Sequence, residues 1–580
     1  MTNRRSSVSP ADATENIGVV NSDEIEQQPS EDLGQALKYV PGIDIMPRQN
    51  FGQPTSISIQ GADSRQVRVM VDGVPFNTQS SGQVNPAIFP VENISRIEII
   101  KGAASSIWGS SLGGTINIIT KETGNTPLPK GNITTSFAEF NTQKESAEFS
   151  GKTANLGYYL FSSYMVSSGR GAKNDSLEKK GFSKLSYDLE DNGRIIASFG
   201  YSGADVNSGI FPDGTWQAQP YQSRYGKVGW QLDSQDISAV IDLKHSRQDI
   251  VTKSFLSETD AGPFFIIRTR DLLYQLSLNS SVHPRGKDLL VAGIDSDWDL
   301  LKSNTYLTKS KSLKTEAPYV NYTLKLSPWD LNFGLRYDRN SEFGDQTSPS
   351  LGLVYYLKSI PDTSIRATVS QAFNAPPLLW KFNANDLFGV APNPDIKPER
   401  AWVYESVLEA KLLSKAQARF SVYRADVSEA IALAENDQGL FMMKNFEKFR
   451  RQGGELQFKV FPAEGLSVFS SVAFNDIVDR ATKKVVKGGG KTRRSFNFGL
   501  DSKTKKGFGF CLKGYYNFWN EPESMQANDR KTLLDLRTTQ ELKNLILFLD
   551  IHNLGNSKYW QDYFFPLPRR YFEGGVTLKW

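Results

Sequence analysis

From Gly131 to Trp580 the chain repeats one pattern: segments of roughly ten residues in which apolar and polar side chains alternate, separated by turns. Leu331, Phe333, Leu335 and Tyr337 fall on one face of such a segment, and Asn332, Gly334 and Arg336 on the other. The same period of two runs through Ile237/Ala239/Ile241/Leu243, Phe496/Phe498/Leu500 and Phe572/Gly574/Val576/Leu578/Trp580. About 22 such segments can be counted, an even number of the kind an antiparallel barrel needs to close. Tight turns at Leu189–Asn192, His283–Gly286, Pro462–Gly465 and Lys503–Gly507 alternate with long stretches at Ser202–Tyr221, Arg247–Ile267, Asn374–Arg400 and Glu435–Phe449. Short turns on one rim and long loops on the other are the asymmetry of an outer-membrane barrel. A sandwich or propeller has no reason to show it. An even strand count also returns the C-terminus to the short-turn rim, beside the start of the first strand. Both ends of the chain are therefore expected on the periplasmic side.

The composition agrees. Aromatics reach 12%, with 35 Phe, 22 Tyr and 10 Trp, yet mean hydropathy is −0.41. Many aromatics on a polar average suit a barrel with an apolar outside and a polar lumen. Apolar runs such as Leu545–Leu549 are far short of the about 20 residues a helical span needs. With 67 Lys+Arg against 63 Asp+Glu, nothing points to nucleic acid. The one cysteine, Cys511, excludes an internal disulfide framework and a Cys-based zinc site. No apolar stretch follows Arg4 and Arg5, so no secretory signal is visible in this numbering.

The first part of the chain reads differently, as a small mixed α/β unit. Ser30 is placed to cap a helix carrying Leu33, Ala36, Leu37 and Val40, stopped by Pro41-Gly42. Short β-rich runs follow at Ser56–Gln60, Val67–Val71, Ile94–Ile100 and Thr115–Thr120, and a Pro-containing linker at Asn125–Gly131 ends the unit. The resulting division is a disordered segment over 1–16, a plug over 17–128 and a transmembrane barrel over 129–580. A lumen of about 22 strands is wide enough to leak unless filled. The N-terminal unit is of a size to fill it.

Several blocks then carry a specific resemblance. DLGQALKYVPGIDI (Asp32–Ile45), ISIQGADSRQVRVMVDGVPFN (Ile57–Asn77) and NISRIEIIKGAASSIWGSSLGGTINIITK (Asn93–Lys121) resemble the plug of TonB-dependent outer-membrane receptors. SQAFNAP (Ser370–Pro376), NPDIKPERAWVYE (Asn393–Glu405), DIHNLGNSKY (Asp550–Tyr559) and Pro568–Trp580 are similar to the family's barrel signatures, in the same order. Two departures stand out: Gln60-Gly61 where the family has Arg-Gly, and Lys101-Gly102-Ala103 where it has Arg-Gly-Pro. The resemblance implies energised uptake of a large scarce ligand, with a ferric siderophore first and cobalamin close behind. The competing class is a plugged binding protein, adhesin or porin not energised by TonB. It implies as partners TonB with its inner-membrane complex, outer-membrane lipid and the barrel assembly machinery, which would read Trp580 as the terminal aromatic. It implies, too, an apolar Ton box ahead of the plug. Residues 1–16 (MTNRRSSVSPADATEN) are poor strand material, so that box is expected upstream of this numbering.

By the same resemblance, Arg96, Glu98 and Lys101 tie the plug to charges on the barrel wall. Two plug loops are expected to face the ligand, with Arg48, Gln49, Asn50 and Phe51 on one and Gln79, Ser80 and Ser81 on the other. Phe211, Trp216, Phe264, Phe265, Trp380, Phe388, Phe441 and Met442 face them from the long loops. Aromatics beside hydrogen-bonding groups suit a large amphipathic ligand; the interfacial girdle is the competing use for any one of them. No cofactor is expected, apart from a weak calcium candidate at Asp205, Asn207 and Asp213, which loop solvation explains better. The search for catalysis is empty: there are three histidines, no HExxH, and GGGKT (Gly488–Thr492) lacks the strand-loop-helix frame of a phosphate loop.

Overall fold

The computed structural model describes residues 13–46, 53–211, 213–234, 236–304, 309–360, 362–383, 389–412, 415–446, 448–486, 492–518, 530–558, 560–562, 565–566 and 568–580. Twenty-two long antiparallel strands run from β8 (Lys130–Ala138) to the last strand, Tyr571–Lys579, and close into a barrel in simple up-and-down order. Closure is by direct pairing of last with first, from Glu573↔Ala138 to Lys579↔Asn132.

Alternation on the strands is sorted by solvent, as the sequence demands. Along Trp329–Asn340, Asp330, Asn332, Arg336 and Asp338 are buried toward the lumen, while Phe333 and Leu335 are each 47% exposed on the outside. Leu331 and Phe510 share that outward parity. The barrel meets its filling through many buried polar side chains and through apolar patches, as where Phe161, Phe182 and Tyr225 of the wall join the plug's own apolar cluster.

That filling is the plug. Its sheet has the order β1 (Asn16–Asn21), β6 (Ile94–Lys101), β7 (Gly114–Thr120), β4 (Val67–Val71), β5 (Val74–Pro75). Only β4 and β7 pair in parallel. β2 (Ile43–Met46) and β3 (Ser56–Ile59) form a separate antiparallel pair. Ile97, Ile99, Ile116 and Ile118 from the central strands pack with Leu33 and Leu37 of α2 (Leu33–Leu37) in one buried cluster. A second short helix, α1 (Ser22–Glu26), follows β1.

Several expectations need correcting. The cap of α2 is Asp32, not Ser30: Asp32 Oδ1 accepts from Gln35 N at 2.9 Å. The segment expected to be disordered to residue 16 is buried from Ala13 onward, and Asn16 opens β1, the plug's edge strand. Two of the long loops are mostly ladder. Arg194–Ile210 and Ile237–Phe255 pair with Trp216–Ala218, Tyr221–Asp233 and Phe265–Val282 well past the membrane level. Only about 9–11 residues of a tilted strand are needed to cross a bilayer, so strands of 17 to 19 residues stand clear of it. Beyond lipid a strand needs no apolar outward face, and the alternation that marks it in sequence fades. The tight turns lie where expected; at Gly465 (φ +72) a Cβ would meet the Lys503 carbonyl oxygen at 2.2 Å, so only glycine fits.

Candidate functional site

At the long-loop end of the lumen, the plug loop 78–82 is clamped to the wall. Asp271 Oδ1 accepts from the backbone N–H groups of Gln79 (2.7 Å) and Ser80 (3.0 Å), and its Oδ2 accepts from Ser80 Oγ (2.8 Å). Asn77 Nδ2 braces the loop from within by donating to the Gly82 carbonyl at 2.8 Å. From above, Leu379 N donates to the Gln79 carbonyl at 3.1 Å. Leu379 belongs to α3 (Leu378–Phe382), a short helix in the long connection before Glu399.

The same helix covers an ion pair. Arg65 of the plug makes a two-pronged contact with Glu399 on the wall, at 2.5 and 2.7 Å, and both side chains are buried. Gln66 Nε2 and Ile431 N also donate to that carboxylate. The Trp380 ring lies over the Arg65 guanidinium at 5.0 Å. Leu301, Leu313, Phe343, Leu378, Ile396 and Ile431 form an apolar cluster around this corner. One side of the vestibule floor is thus built from plug, wall and loop together.

Not all the aromatics expected to face a ligand do so. Trp216 is buried: it stacks on Phe255 (3.9 Å, 4°) and donates its indole N–H to the Ser257 carbonyl at 3.0 Å. Trp380 is committed to Arg65. Phe211 is half-buried in the turn after Arg194–Ile210, Phe265 is half-buried at the loop end of its strand, and Met442 is half-buried in the hairpin Ile431–Glu435/Phe441–Asn445. Phe264 and Phe441 are exposed on the long-loop side. Arg48, Gln49, Asn50, Phe51 and Phe388 lie outside the described residues. Of the calcium candidates, Asp213 accepts from Thr215 within its own turn, Asn207 donates to Asp175 at 2.9 Å, and Asp205 faces the outside of the barrel.

Deeper in the lumen a set of buried polar contacts ties the plug to the wall, beside apolar patches such as Leu112 against Ala401, Val403 and Val427. Lys101 Nζ reaches Glu455 at 2.5 Å and the Pro41 carbonyl at 2.7 Å, entirely buried. Gln60 Nε2 lies between Glu405 (3.4 Å) and Glu455 (3.3 Å). Asn16 Nδ2 donates to Glu405 at 2.5 Å. Lys38 and Tyr39 both donate to Asp535 at 2.6 Å. Asp72 meets Lys184 at 3.3 Å. Lys101 therefore reaches the wall, whereas Arg96 Nε donates to Glu98 Oε1 at 2.8 Å along β6 itself. Arg65, Lys38, Tyr39 and Asp72 carried no sequence signal as wall ties, since their partners lie over a hundred to several hundred residues away.

A cavity of about 610 Å³ runs between the wall and the plug segment that carries α1 and α2. Glu31 and Lys38 of the plug line it, with Lys144, Lys531, Asp535 and His552 from strands on both sides of the barrel's closure. Among the described residues, Glu31, His552 and Glu573 form the one acidic–histidine cluster close enough to share an ion. The Lys144 ammonium already bridges Glu31 (2.8 Å) and Glu573 (2.7 Å) there, so the cluster is neutralised by the protein's own cation.

A model of the family described as TonB dependent receptor-like, beta-barrel, matches residues 108–554, and one of the TonB-dependent receptor plug domain matches residues 9–115. The chain belongs to the TonB-dependent receptor family. Its family is one of outer-membrane receptors and transporters rather than enzymes. Solved structures with the same fold include a mutant of the ferric enterobactin receptor PfeA from Pseudomonas aeruginosa, at 18% identity and TM-score 0.79, covering 97% of this chain and 98% of that one. The siderophore receptor PirA from P. aeruginosa aligns at 18% identity and TM-score 0.77, covering 99% and 100%. The P. aeruginosa receptor FpvA, bound to a pyoverdine–iron complex, aligns at 15% identity and TM-score 0.80, covering 100% of this chain and 88% of that one. The receptor thus shares their architecture along its whole length.

Proposed function

We propose that this receptor takes up a ferric siderophore in a TonB-dependent cycle, with its long loops facing outward and its short turns facing the periplasm. The observation that carries the reading is the nature of the plug's seat. The plug does pack on the wall through apolar side chains on one side, where Phe76 lies 4.9 Å from Tyr225. Elsewhere it is fixed to the wall by buried ion pairs and hydrogen bonds at Glu399, Glu405, Glu455, Asp271 and Asp535. Such contacts are strong while intact, and each partner can be re-solvated once water enters. That is the property a displaceable plug needs. The Gln79–Ser80 turn is held against the vestibule by Asp271, so a ligand resting on it is coupled to the wall through one carboxylate.

The rim supports this ligand class. Lys311 lies 4.1 Å from the Phe382 ring, Lys381 lies 5.4 Å from Phe343, and Lys173 lies 5.0 Å from Trp216. Cations set on aromatic faces suit an anionic ligand with aromatic or chelating groups. Proteins of the same fold include one described as the ferric enterobactin receptor and FpvA, described as bound to heterologous pyoverdines. The test is native mass spectrometry of the purified receptor against a panel of ferric siderophores and corrinoids, followed by uptake of radioactive iron in cells with and without TonB. A ferric chelate should bind and accumulate only with TonB. Binding of corrinoids alone, or uptake indifferent to TonB, would overturn the proposal.

A further inference from the structure

The cavity of about 610 Å³ between plug and wall holds a side-chain cluster that the transport reading does not use. Glu31 lies on the plug between α1 and α2. His552 ends the strand Leu545–His552, and Glu573 stands near the start of the last strand, Tyr571–Lys579. His552 is paired with Tyr571, and Asp550 with Glu573, so all four buried side chains share the lumen face of two adjacent strands. One ligand atom from each of Glu31, His552 and Glu573 lies within 4.8 Å of the others. These ligands are already aimed. Gln35 Nε2 donates to Glu31 Oε2 at 2.9 Å, and Ser136 Oγ donates to Glu573 Oε1 at 2.7 Å. Glu31 Oε1 and Glu573 Oε2 are thereby turned to opposite sides of the Lys144 ammonium, at 2.8 and 2.7 Å, with the Tyr571 hydroxyl 3.4 Å from the former. The His552 ring lies flat on Tyr571, with centroids 4.3 Å apart and planes 3° from parallel. Partners that fix a ligand's orientation and leave its coordinating atom clear are the outer shell of a metal site.

Lys144 answers the two carboxylates but not the imidazole. His552 is 4% exposed, and its Nε2 meets no hydrogen-bond partner among the described residues. A buried nitrogen left in that state is costly. A metal ion takes the imidazole and both carboxylates at once. Bonds of about 2.0–2.2 Å in tetrahedral array set ligand atoms about 3.3 Å apart, so the three need draw in by about 1.5 Å at most. The ammonium has a place to go: Asp550 Oδ1 lines the same cavity and meets no partner among the described residues, while Oδ2 faces Arg537 at 3.5 Å. The ion has a way in, since the cavity runs from Lys503 and Glu541 at the short-turn rim to Arg170 and Asn553 on the long-loop side.

We propose that Glu31, His552 and Glu573 bind one divalent transition-metal ion of the zinc type, which displaces the Lys144 ammonium and staples the plug to the wall beside the closing seam. A nitrogen with two carboxylate oxygens favours such an ion over calcium or magnesium, whose ligands are oxygens. The charges balance: two carboxylates neutralise the ion, and Asp550 receives Lys144.

The test uses the full-length receptor in detergent, without a polyhistidine tag, stripped with EDTA and titrated with zinc chloride at neutral pH by calorimetry and native mass spectrometry. One zinc ion should bind per chain, at least tenfold more tightly than calcium or magnesium. H552F keeps a ring against Tyr571 and removes the ligand; it should lose at least tenfold of the affinity, and so should E573Q. H283A, at a short turn remote from the seam, should stay within twofold. K144M removes the competing cation and should bind zinc at least threefold more tightly, the opposite of what a damaged fold would give. Zinc should also raise the urea midpoint of a fluorophore on the plug in wild type and leave it unchanged in H552F. No bound zinc, equal binding by H552F, calcium bound as tightly as zinc, or weaker binding by K144M would overturn the site. Binding of a ferric chelate by H552F should match wild type, so the metal site and the transport reading stand or fall separately.

Discussion

Asn16 Nδ2 donates to Glu405 Oε1 at 2.5 Å, a bond that joins the first residue of the plug's edge strand to the barrel wall across 389 residues of chain. Arg419 returns the contact, donating to Asn16 Oδ1 at 2.5 Å and to the Ile17 carbonyl at 2.8 Å. A pull that reaches Asn16 along the chain loads these three bonds together. Gln60 and Lys101 stand one step behind, at Glu405 and Glu455.

Asn16→Ala should therefore loosen the plug before it loosens the barrel. A buried carboxylate that loses a donor costs about 1–3 kcal/mol. The expected result is a lower urea midpoint for a fluorophore on the plug, with the heat-modifiable mobility of the barrel unchanged. Equal midpoints in variant and wild type would remove Asn16 from the seat.

Arg65 and Glu399 make the sharper case, because both side chains are almost wholly buried, at 6% and 1% exposure. Arg65→Met strands a carboxylate that still accepts from Gln66 and Ile431, at a cost of roughly 3–5 kcal/mol. Arg65→Met with Glu399→Leu should recover much of that loss, since no charge is then left unpaired. If the double variant is no more stable than the single, the pair is not what holds this corner.

The barrel was largely legible because lipid enforces it. Phe333, Leu335 and Tyr337 must face outward and Arg336 and Asp338 inward, and no other arrangement of that strand satisfies both solvents. Above the membrane that constraint is gone. Arg247, Gln248 and Asp249 read as loop but are ladder, paired with Leu272, Asp271 and Arg270. The site was harder still. Trp216 and Trp380 have the composition of ligand-binding aromatics, yet one closes a hairpin and the other roofs an ion pair. A side chain's exposure depends on partners that local pattern does not name, and Arg65 sits 334 residues from the glutamate that explains it.

Acid should weaken the plug's seat at Asp72. Burial alone would raise this carboxyl, but Lys184, Lys227 and the hydrogen bonds from Thr120 outweigh it and hold it below the usual carboxylate range. A group depressed in the folded state stabilises above its unfolded pKa, about 4, and that stability is lost as pH falls through the folded value. The stability gap between wild type and Asp72→Asn should thus be level from pH 7 to about 5 and shrink below about 4. A gap that widens toward low pH would reverse the assignment.

The closing seam offers the last prediction. Trp580 N donates to the Gly131 carbonyl at 3.1 Å, and Gly131 N donates back to the Trp580 carbonyl at 3.3 Å, so residue 580 locks the end of the last strand to the start of the first. The Trp580 ring is half exposed on the outside, and a Cβ on Gly131 would come within 2.8 Å of it. Deleting Trp580 removes both backbone bonds, worth about 1–3 kcal/mol together, and the ring as well. Trp580→Ala keeps the bonds and removes only the ring, and Trp580→Phe keeps both in reduced form. The fraction of heat-modifiable, folded receptor in the membrane should fall in the order wild type, Trp580→Phe, Trp580→Ala, deletion. If Trp580→Ala assembles as poorly as the deletion, the ring alone matters and the backbone lock contributes nothing. If the deletion assembles like wild type, the seam closes without its last residue and both parts of the argument fail.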